Sequence, residues 1–294
     1  MLMGEHAVLN GSRCIVCAVN RRISITCSAI NDRKIAIQSK LGVFETSLDN
    51  PEPEPPFQFV IAAVAQVKDA LPGGIRLNIK SDIPETVGLA SSAAVTVAAC
   101  AAARKLAKLN CEPELVLDAS ISAVRAIQGQ ASGADTAAAT FGGVLGYRME
   151  PREILRIDRI FPITLVYTGY KRPTPEVIGI VESHRQRFPE EFNVLYELVH
   201  SIVNEALQAI ENEDWRRLGA LMNFNQGLMD AMGVSNADLA KIVFALRRCA
   251  QINGAKISGA GLGDCVVGLG KPNNSDIGGK LINVELTKKG LTFE

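Results

Sequence analysis

The sequence predicts an α+β fold divided into two lobes. Three observations carry that expectation. Strand-like and helix-like segments are both abundant, but they do not alternate in the regular way of a parallel α/β sheet. The length, 294 residues, suits one large domain or two lobes. A strand-like run at residues 163–169, "ITLVYTG", opens a second set of helices after a break near Tyr147 to Pro151. The expected lobes are residues 1–150 and 151–294. No repeat at solenoid periods is present.

The elements follow in order. "CIVCAV" (14–19), "RISITCSAI" (22–30) and "KIAIQS" (34–39) are β-branched and apolar or alternating, and read as strands. Pro51, Pro53, Pro55 and Pro56 mark a loop. "FVIAAVAQVKDAL" (59–71) has helical periodicity and stops at "PGG". Ile75, Leu77 and Ile79 alternate onto one strand face. A Gly-Ser turn then opens a long Ala-rich helix, and "PELVLDASISAVRAIQG" (113–129) is a second one. Residues 130–148 read as a small-residue loop, a short helical turn, a Gly-Gly break and a strand. Beyond "ITLVYTG", four helices are expected at 175–188, 190–211, 214–233 and 236–253; the last carries Leu239, Ile242, Val243 and Leu246 on one stripe. "AKISGAGLGDCVVGLG" (255–270) reads strand, glycine loop, strand. A short helix and the strand "INVEL" (282–286) are expected to close the chain.

Composition narrows the classes. Lys+Arg and Asp+Glu are both 31, which argues against a basic nucleic-acid binder or a polybasic membrane-surface protein. A local basic site for a phosphorylated ligand remains open. The 47% hydrophobic and 21% charged content is that of a globular protein. There are seven cysteines. Only Cys14 and Cys17 have metal-like spacing, but on a strand they point to opposite faces, and no second CxxC completes a site. Reduced thiols are expected, in keeping with a cytoplasmic setting. Glu5 and His6 interrupt the N-terminal apolar run, so no targeting segment is expected, and the Ala-rich stretch at 90–103 is too short to span a membrane.

Three glycine-containing loops and one aspartate carry the chemistry. "PETVGLASSAA" (84–94) turns straight into a helix. A helix N-terminus offers free N–H groups and the positive end of the macrodipole, which suits phosphate. Ser91 and Ser92 add hydroxyls for phosphate or Mg²⁺; an ordinary Ser-capped helix is the plainer reading. "QASGADTAAATFGG" (130–143) holds one carboxylate, Asp135, among small residues. It reads as a helix cap or, beside a phosphate loop, as the group that orients a hydroxyl and takes its proton. "KISGAGLGDCVV" (256–267) reads as a tight hairpin or as a close backbone approach to a ligand. It is no dinucleotide fingerprint, since Asp264 stands at the last glycine position and a strand follows. No GxxxxGK[ST] motif, HRD/DFG pair or GxSxG elbow occurs.

These three loops in this order, with "GEHAVL" (4–9) ahead of them, resemble the GHMP superfamily of small-molecule kinases. "PETVGLASSAA" looks like its phosphate-loop motif, "SGADTAAATFGG" like the loop carrying its catalytic Asp, and "KISGAGLGDC" like its third, glycine-rich motif. The resemblance spans almost the whole chain. It implies an N-terminal lobe like ribosomal protein S5 domain 2 and a ferredoxin-like C-terminal lobe. It also implies transfer of the γ-phosphoryl of Mg-ATP to a small acceptor. On that resemblance Gly88, Leu89, Ala90, Ser91, Ser92 and Ala93 cradle phosphates, with Ser92 near Mg²⁺. Asp135 is the base or orienting carboxylate, and Gly259, Ala260 and Gly261 close on the phosphates. "GEHAVL" is most similar to mevalonate kinases, which assigns Glu5 and His6 to the acceptor pocket. "YTGYKRPTPEVI" (167–178) makes Lys171, Arg172 and Thr174 further acceptor contacts, beside the plainer reading of a solvated basic turn. A homodimer is a family-level expectation, with no nucleic-acid or membrane partner.

The chain also departs from that pattern. Mevalonate kinases have a lysine two residues before the position matched by Met1, so a pocket with Glu5 and His6 in place and one basic partner missing is expected. Their Mg²⁺-binding Glu falls at Val124. "AIQGQASGAD" and Asp264 lean toward phosphomevalonate kinases. The resulting expectation is an ATP-dependent kinase of mevalonate. Phosphomevalonate kinase, a sugar kinase of the superfamily and, from another class, a catalytically silent nucleotide-binding protein are the alternatives.

Overall fold

The computed structural model of the protein describes residues 1–83, 89–273 and 277–294. In chain order the elements are β1 (Cys14–Cys17), β2 (Ile23–Ile30), β3 (Lys34–Ser39), β4 (Gly42–Ser47), α1 (Gln58–Ala65), β5 (Gly74–Ser81), α2 (Ser91–Leu106), α3 (Pro113–Gln128) and α4 (Ala134–Phe141). There follow β6 (Val144–Arg148), β7 (Glu153–Ile157), β8 (Ile163–Tyr167), α5 (Thr174–Arg187), α6 (Pro189–Glu211), α7 (Trp215–Ala231), α8 (Ala237–Arg247), β9 (Ala255–Ser258), β10 (Cys265–Leu269) and β11 (Lys280–Ile282). Two compact units share these elements. One holds residues 21–83, Leu89–Phe141 and Gly290–Glu294; the other holds Met1–Asn20 and Gly142–Lys289.

The first of these units is a four-stranded sheet, ordered β2-β5-β3-β4, with α1 to α4. β3 runs parallel to β5, and the other pairs are antiparallel. β2 alternates as its sequence demands: Ile25 and Cys27 are half-buried while Ser24, Thr26 and Ser28 face out, the habit of an antiparallel strand with one covered face. α2 covers it. The core joins Ile35, Ile37, Ile75 and Leu77 of the sheet to Val60, Ile61 and Val64 of α1 and Ala99, Ala101 and Ala103 of α2. Alanines on α2 let α1 and α3 approach closely, which is why this stretch of sequence is so rich in them.

The second unit contains two sheets. β1, β6 and β7 form an antiparallel ladder, with Cys14 opposite Tyr147 and Val144 opposite Ile157. β11-β8-β10-β9 form the other. Its central strands β8 and β10 are buried along their whole length. α8 packs on β9 and β10 through Leu239, Ile242, Val243 and Leu246, the stripe expected from spacing. The caps are local and sequence-borne: Asp214 accepts from the Arg217 N–H at 2.9 Å to open α7, and Asn236 from the Leu239 N–H at 3.0 Å to open α8.

Three expectations change. β4 and β7 were not legible as strands. The "short helical turn" at Asp135 is an eight-residue helix. "INVEL" is not a strand: β11 ends at Ile282. Beyond it the chain leaves β8 to meet residues 18–20, where Glu285 N–H donates to Asn20 Oδ1 and Leu286 makes a single bridge to Val19. The helix expected before it falls partly outside the described residues. All seven cysteines are free, and the described residues contain no group of three or more His, Cys, Asp or Glu placed to hold a metal ion. Among them no helix is long and apolar enough to cross a membrane.

Candidate active site

Two of the sequence-predicted segments lie in the first unit. Gly88 is outside the described residues; Leu89, Ala90, Ser91 and Ser92 are half-buried and Ala93 is buried. Ala90 sits in the left-handed region at φ 52, an uncommon place for alanine, and α2 begins at the next residue. The first helical bond runs from the Ala94 N–H to the Ala90 carbonyl at 3.0 Å. The N-cap position is Ala90, with Ser91 and Ser92 inside the helix and no cap from a described side chain, so the ordinary Ser-cap reading does not describe it. Among the described residues no side chain accepts at this helix start, and a phosphate oxygen is an acceptor that suits first-turn N–H groups. One hydroxyl nearby is already engaged: Thr96 Oγ1 donates to the Ser92 carbonyl at 2.6 Å.

Asp135 is the second residue of α4 and is exposed. It does not cap its helix. Gly133, at φ 86, supplies the first carbonyl, accepting from the Ala137 N–H at 2.8 Å and from Thr136 Oγ1 at 2.7 Å. Ser132 Oγ accepts from the Ala134 N–H at 3.3 Å. Arg125 Nε donates to the Ala131 carbonyl at 3.2 Å and braces the loop from α3. The turn is therefore built without Asp135, whose carboxylate stands in the positive field of a helix start with no side-chain partner among the described residues. Val124, where the family's glutamate was expected, is buried on α3.

The remaining segments lie in the other unit. Residues 1–3 run along β1, Met3 bridging Ile15. The chain then turns sharply at Gly4, φ 91, where a Cβ would stand 2.7 Å from Cys14; Asn225 of α7 accepts the Gly4 N–H at 3.2 Å. The turn carries Glu5 inward. It is 2% exposed, and the fully buried Lys256 of β9 donates to its Oε1 at 2.6 Å. Lys256 also donates to the Ile257 carbonyl. Burial pulls the Lys256 ammonium below its ordinary value, against the attraction of Glu5. The other oxygen of Glu5, Oε2, is buried with no hydrogen-bond partner among the described residues.

His6 is 6% exposed, with φ 61. Its Nε2 lies 2.8 Å from the Ala260 carbonyl. A carbonyl only accepts, so Nε2 carries the proton, and in the neutral ring Nδ1 is an acceptor. Burial lowers the pKa of His6, with Lys256 adding to that and the Ala260 bond and Glu5 opposing.

The third motif is the β9–β10 hairpin loop, braced from two sides. Leu262 N–H donates to the Val234 carbonyl at 2.7 Å, and a Cβ on Gly261 would lie 2.4 Å from that same oxygen. Asp264 N–H donates to the Tyr170 carbonyl at 2.8 Å, and Thr168 donates back to the Asp264 carbonyl from N–H at 2.9 Å and from Oγ1 at 3.0 Å. Gly259 differs: its φ is 92, but an added Cβ would meet nothing within 4 Å. Gly261 is required by packing against its own protein, whereas Gly259 faces open space that a ligand could enter. Lys171 is exposed and 3.8 Å from Asp264 Oδ2. Thr174 is the first residue of α5.

The structure thus brings Glu5 and His6 together with Ala260, and Lys171 with Asp264. It gives Glu5 a basic partner that the sequence reading did not name. The signal was there: Lys256 stands between apolar Ala255 and Ile257 in a strand, a position where a charge must be paired. The cluster "NFNQ" (223–226) is a second missed signal. From α7, Asn223 and Gln226 accept the N–H groups of Ala255 at 3.0 Å and Ile257 at 2.8 Å, as Asn225 does for Gly4.

Residues 58–143 match the GHMP kinases N terminal domain, and residues 206–277 match GHMP kinases C terminal. The mevalonate kinase of Pyrococcus furiosus is 31% identical over an alignment that covers all of this chain and 96% of that protein. The chain belongs to the GHMP kinase family. It is a mevalonate-kinase-like phosphotransferase, and with the family comes the use of ATP. This GHMP kinase is also similar to the L. major mevalonate kinase solved in complex with R-mevalonate, with a TM-score of 0.78 and 26% identity over 99% of this chain and 94% of that one. The Lactococcus lactis galactokinase complexed with galactose has a TM-score of 0.83 at 18% identity, covering 98% and 91%; that likeness concerns the fold alone.

Proposed function

We propose that this GHMP kinase transfers the γ-phosphoryl group of ATP to a hydroxyl of mevalonate, in isoprenoid precursor synthesis. The observation that carries the reading is the 31% identity with mevalonate kinases along the whole chain. The local chemistry supports it. The uncapped first turn of α2 presents N–H groups to the phosphates, and Gly259 leaves room beside the third loop. Asp135 accepts the proton of the acceptor hydroxyl as its oxygen bonds to the γ-phosphorus. The bond from that phosphorus to the β-phosphate bridging oxygen breaks, and ADP leaves. His6, neutral and held through Nε2, offers Nδ1 to a second polar group of the acceptor. Lys171 and Thr174 are the further acceptor contacts.

Mg²⁺ fits this site only as an ion carried largely by ATP and water, because the described residues hold no carboxylate cluster. Ser92 is the side chain assigned to it. When bound, Mg²⁺ neutralises charge on the phosphate oxygens.

A coupled ADP-release assay with mevalonate, phosphomevalonate and a panel of sugars tests the proposal. Mevalonate-dependent turnover is expected. Turnover with a sugar or with phosphomevalonate alone, or with no acceptor at all, contradicts it.

A further inference from the structure

Lys256 has no part in the chemistry above, yet it is the most deeply buried charge in its unit, 0% exposed. A lysine is rarely kept in such a place for stability, because desolvation offsets much of the attraction to its partner. What distinguishes this pair is what it joins. Lys256 lies on β9, three residues before the open Gly259 and four before Ala260. Glu5 lies on the first loop, next to His6. The two loops meet at two points: the Lys256–Glu5 pair at 2.6 Å and the His6–Ala260 hydrogen bond at 2.8 Å. His6 itself stands at φ 61, a backbone conformation that costs a non-glycine residue energy and persists only where neighbours hold it.

We infer, resting on the mevalonate reading above, that Lys256 is a positioning residue for this kinase: its ammonium clamps Glu5 and thereby fixes His6 against the glycine loop. Lys256 touches no reacting atom in this scheme. Two of its three donors go to Glu5 Oε1 and the Ile257 carbonyl: the first ties the first loop to β9, and the second holds the ammonium against its own strand. Without the clamp, the strained turn at His6 relaxes, Nε2 parts from the Ala260 carbonyl, and Nδ1 no longer points where the acceptor needs it. The glycine loop keeps its own backbone bonds to Val234 and Tyr170 without this contact.

Lys256→Met keeps most of the volume and removes the charge, and it is compared with the parent in three readouts. The acceptor KM is expected to rise at least about tenfold, the scale that small misplacements of binding groups produce. The affinity for a non-hydrolysable ATP analogue, measured by calorimetry, is expected to stay within about threefold, because the glycine loop keeps its backbone bonds to Val234 and Tyr170. By NMR, with His6 assigned among the three histidines through His6→Gln, the parent His6 is expected to be the neutral Nε2–H form, with a midpoint below the ordinary imidazole range. In Lys256→Met that midpoint is expected to move up by about one pH unit or more, as the ring gains solvent and loses a nearby cation. Loss of folded protein alone would lower the yield of active enzyme and leave the acceptor KM where it was. An acceptor KM within about threefold of the parent's overturns the proposal. So does a parent His6 that titrates in the ordinary range, a measurement that needs no variant to fold. A parent that turns over no mevalonate removes the mevalonate reading, and the His6 midpoints in parent and variant then decide the clamp by themselves.

Discussion

Glu5 and Asp135 are both carboxylates in short, small-residue motifs, and the fold treats them in opposite ways. Glu5 is 2% exposed and bonded to a buried lysine; Asp135 is exposed on the first turn of α4, a turn that Ser132, Gly133 and Thr136 complete without it. A carboxylate committed to an internal partner can position its neighbours but has little left for a substrate. A carboxylate that its own helix does not use is free for proton transfer. A like contrast holds between the third loop, tied to Val234 and Tyr170 by backbone hydrogen bonds, and the start of α2, where no described side chain makes a cap.

The largest effect that can break this comparison is at Asp135. Asp135→Asn should lower kcat by about 10²–10⁴, the usual loss for a general base, with ATP affinity and Tm nearly unchanged. A fall in Tm comparable to that of a core variant would show that Asp135 is structural after all. Glu5→Ala should do the reverse to stability. It strands the Lys256 ammonium in the interior, at a cost of about 3–5 kcal/mol, read from denaturant unfolding; an unchanged midpoint would mean that the pair holds nothing.

A smaller test separates two glycines of one loop. Gly261→Ala forces a Cβ to within 2.4 Å of the Val234 carbonyl at φ 97, so it should cost more than backbone strain alone, which is about 1–2 kcal/mol for a residue in the left-handed region. Gly259→Ala carries only the strain, and should fold while weakening ligand binding. Equal losses of stability would erase the distinction between packed and open glycine.

The smallest effect is a pH dependence. His6 has a folded pKa below its ordinary value of 6.5. The unfolded chain therefore binds the extra proton first as pH falls. The stability from a neutral His6 is complete above about pH 6.5 and declines as pH drops toward its lower folded value. Between pH 7.5 and 5.5 the parent should lose more Tm than His6→Gln does.

Much of the fold was legible because its segments carry one strong local signal each. The Ala-rich α2, the stripe on α8 and the alternation of β5 announce themselves by period and length. β4 and β7 did not, because they are short and mostly exposed: Val43 of β4 is 75% exposed and Leu155 of β7 is 39% exposed, so neither shows the apolar pattern of a covered strand. "INVEL" has strand composition, but residues 18–20 compete for its backbone, a long-range pairing that no local pattern encodes. Asp135, Ser91 and His6 could be named as candidates by motif. Lys256 could not be assigned from its own motif, because its partner is 251 positions away along the chain, and only the meeting of the two loops explains a lysine inside an apolar strand.

The central claim is that an open Asp135 drives phosphoryl transfer to mevalonate. Mass spectrometry of the acceptor after incubation with ATP tests it most directly, with parent and Asp135→Asn run side by side. The parent should convert mevalonate to a product heavier by one phosphoryl group, and the variant, still binding ATP, should yield almost none. Mevalonate recovered unchanged from the parent, or phosphorylated equally by both proteins, would contradict the account.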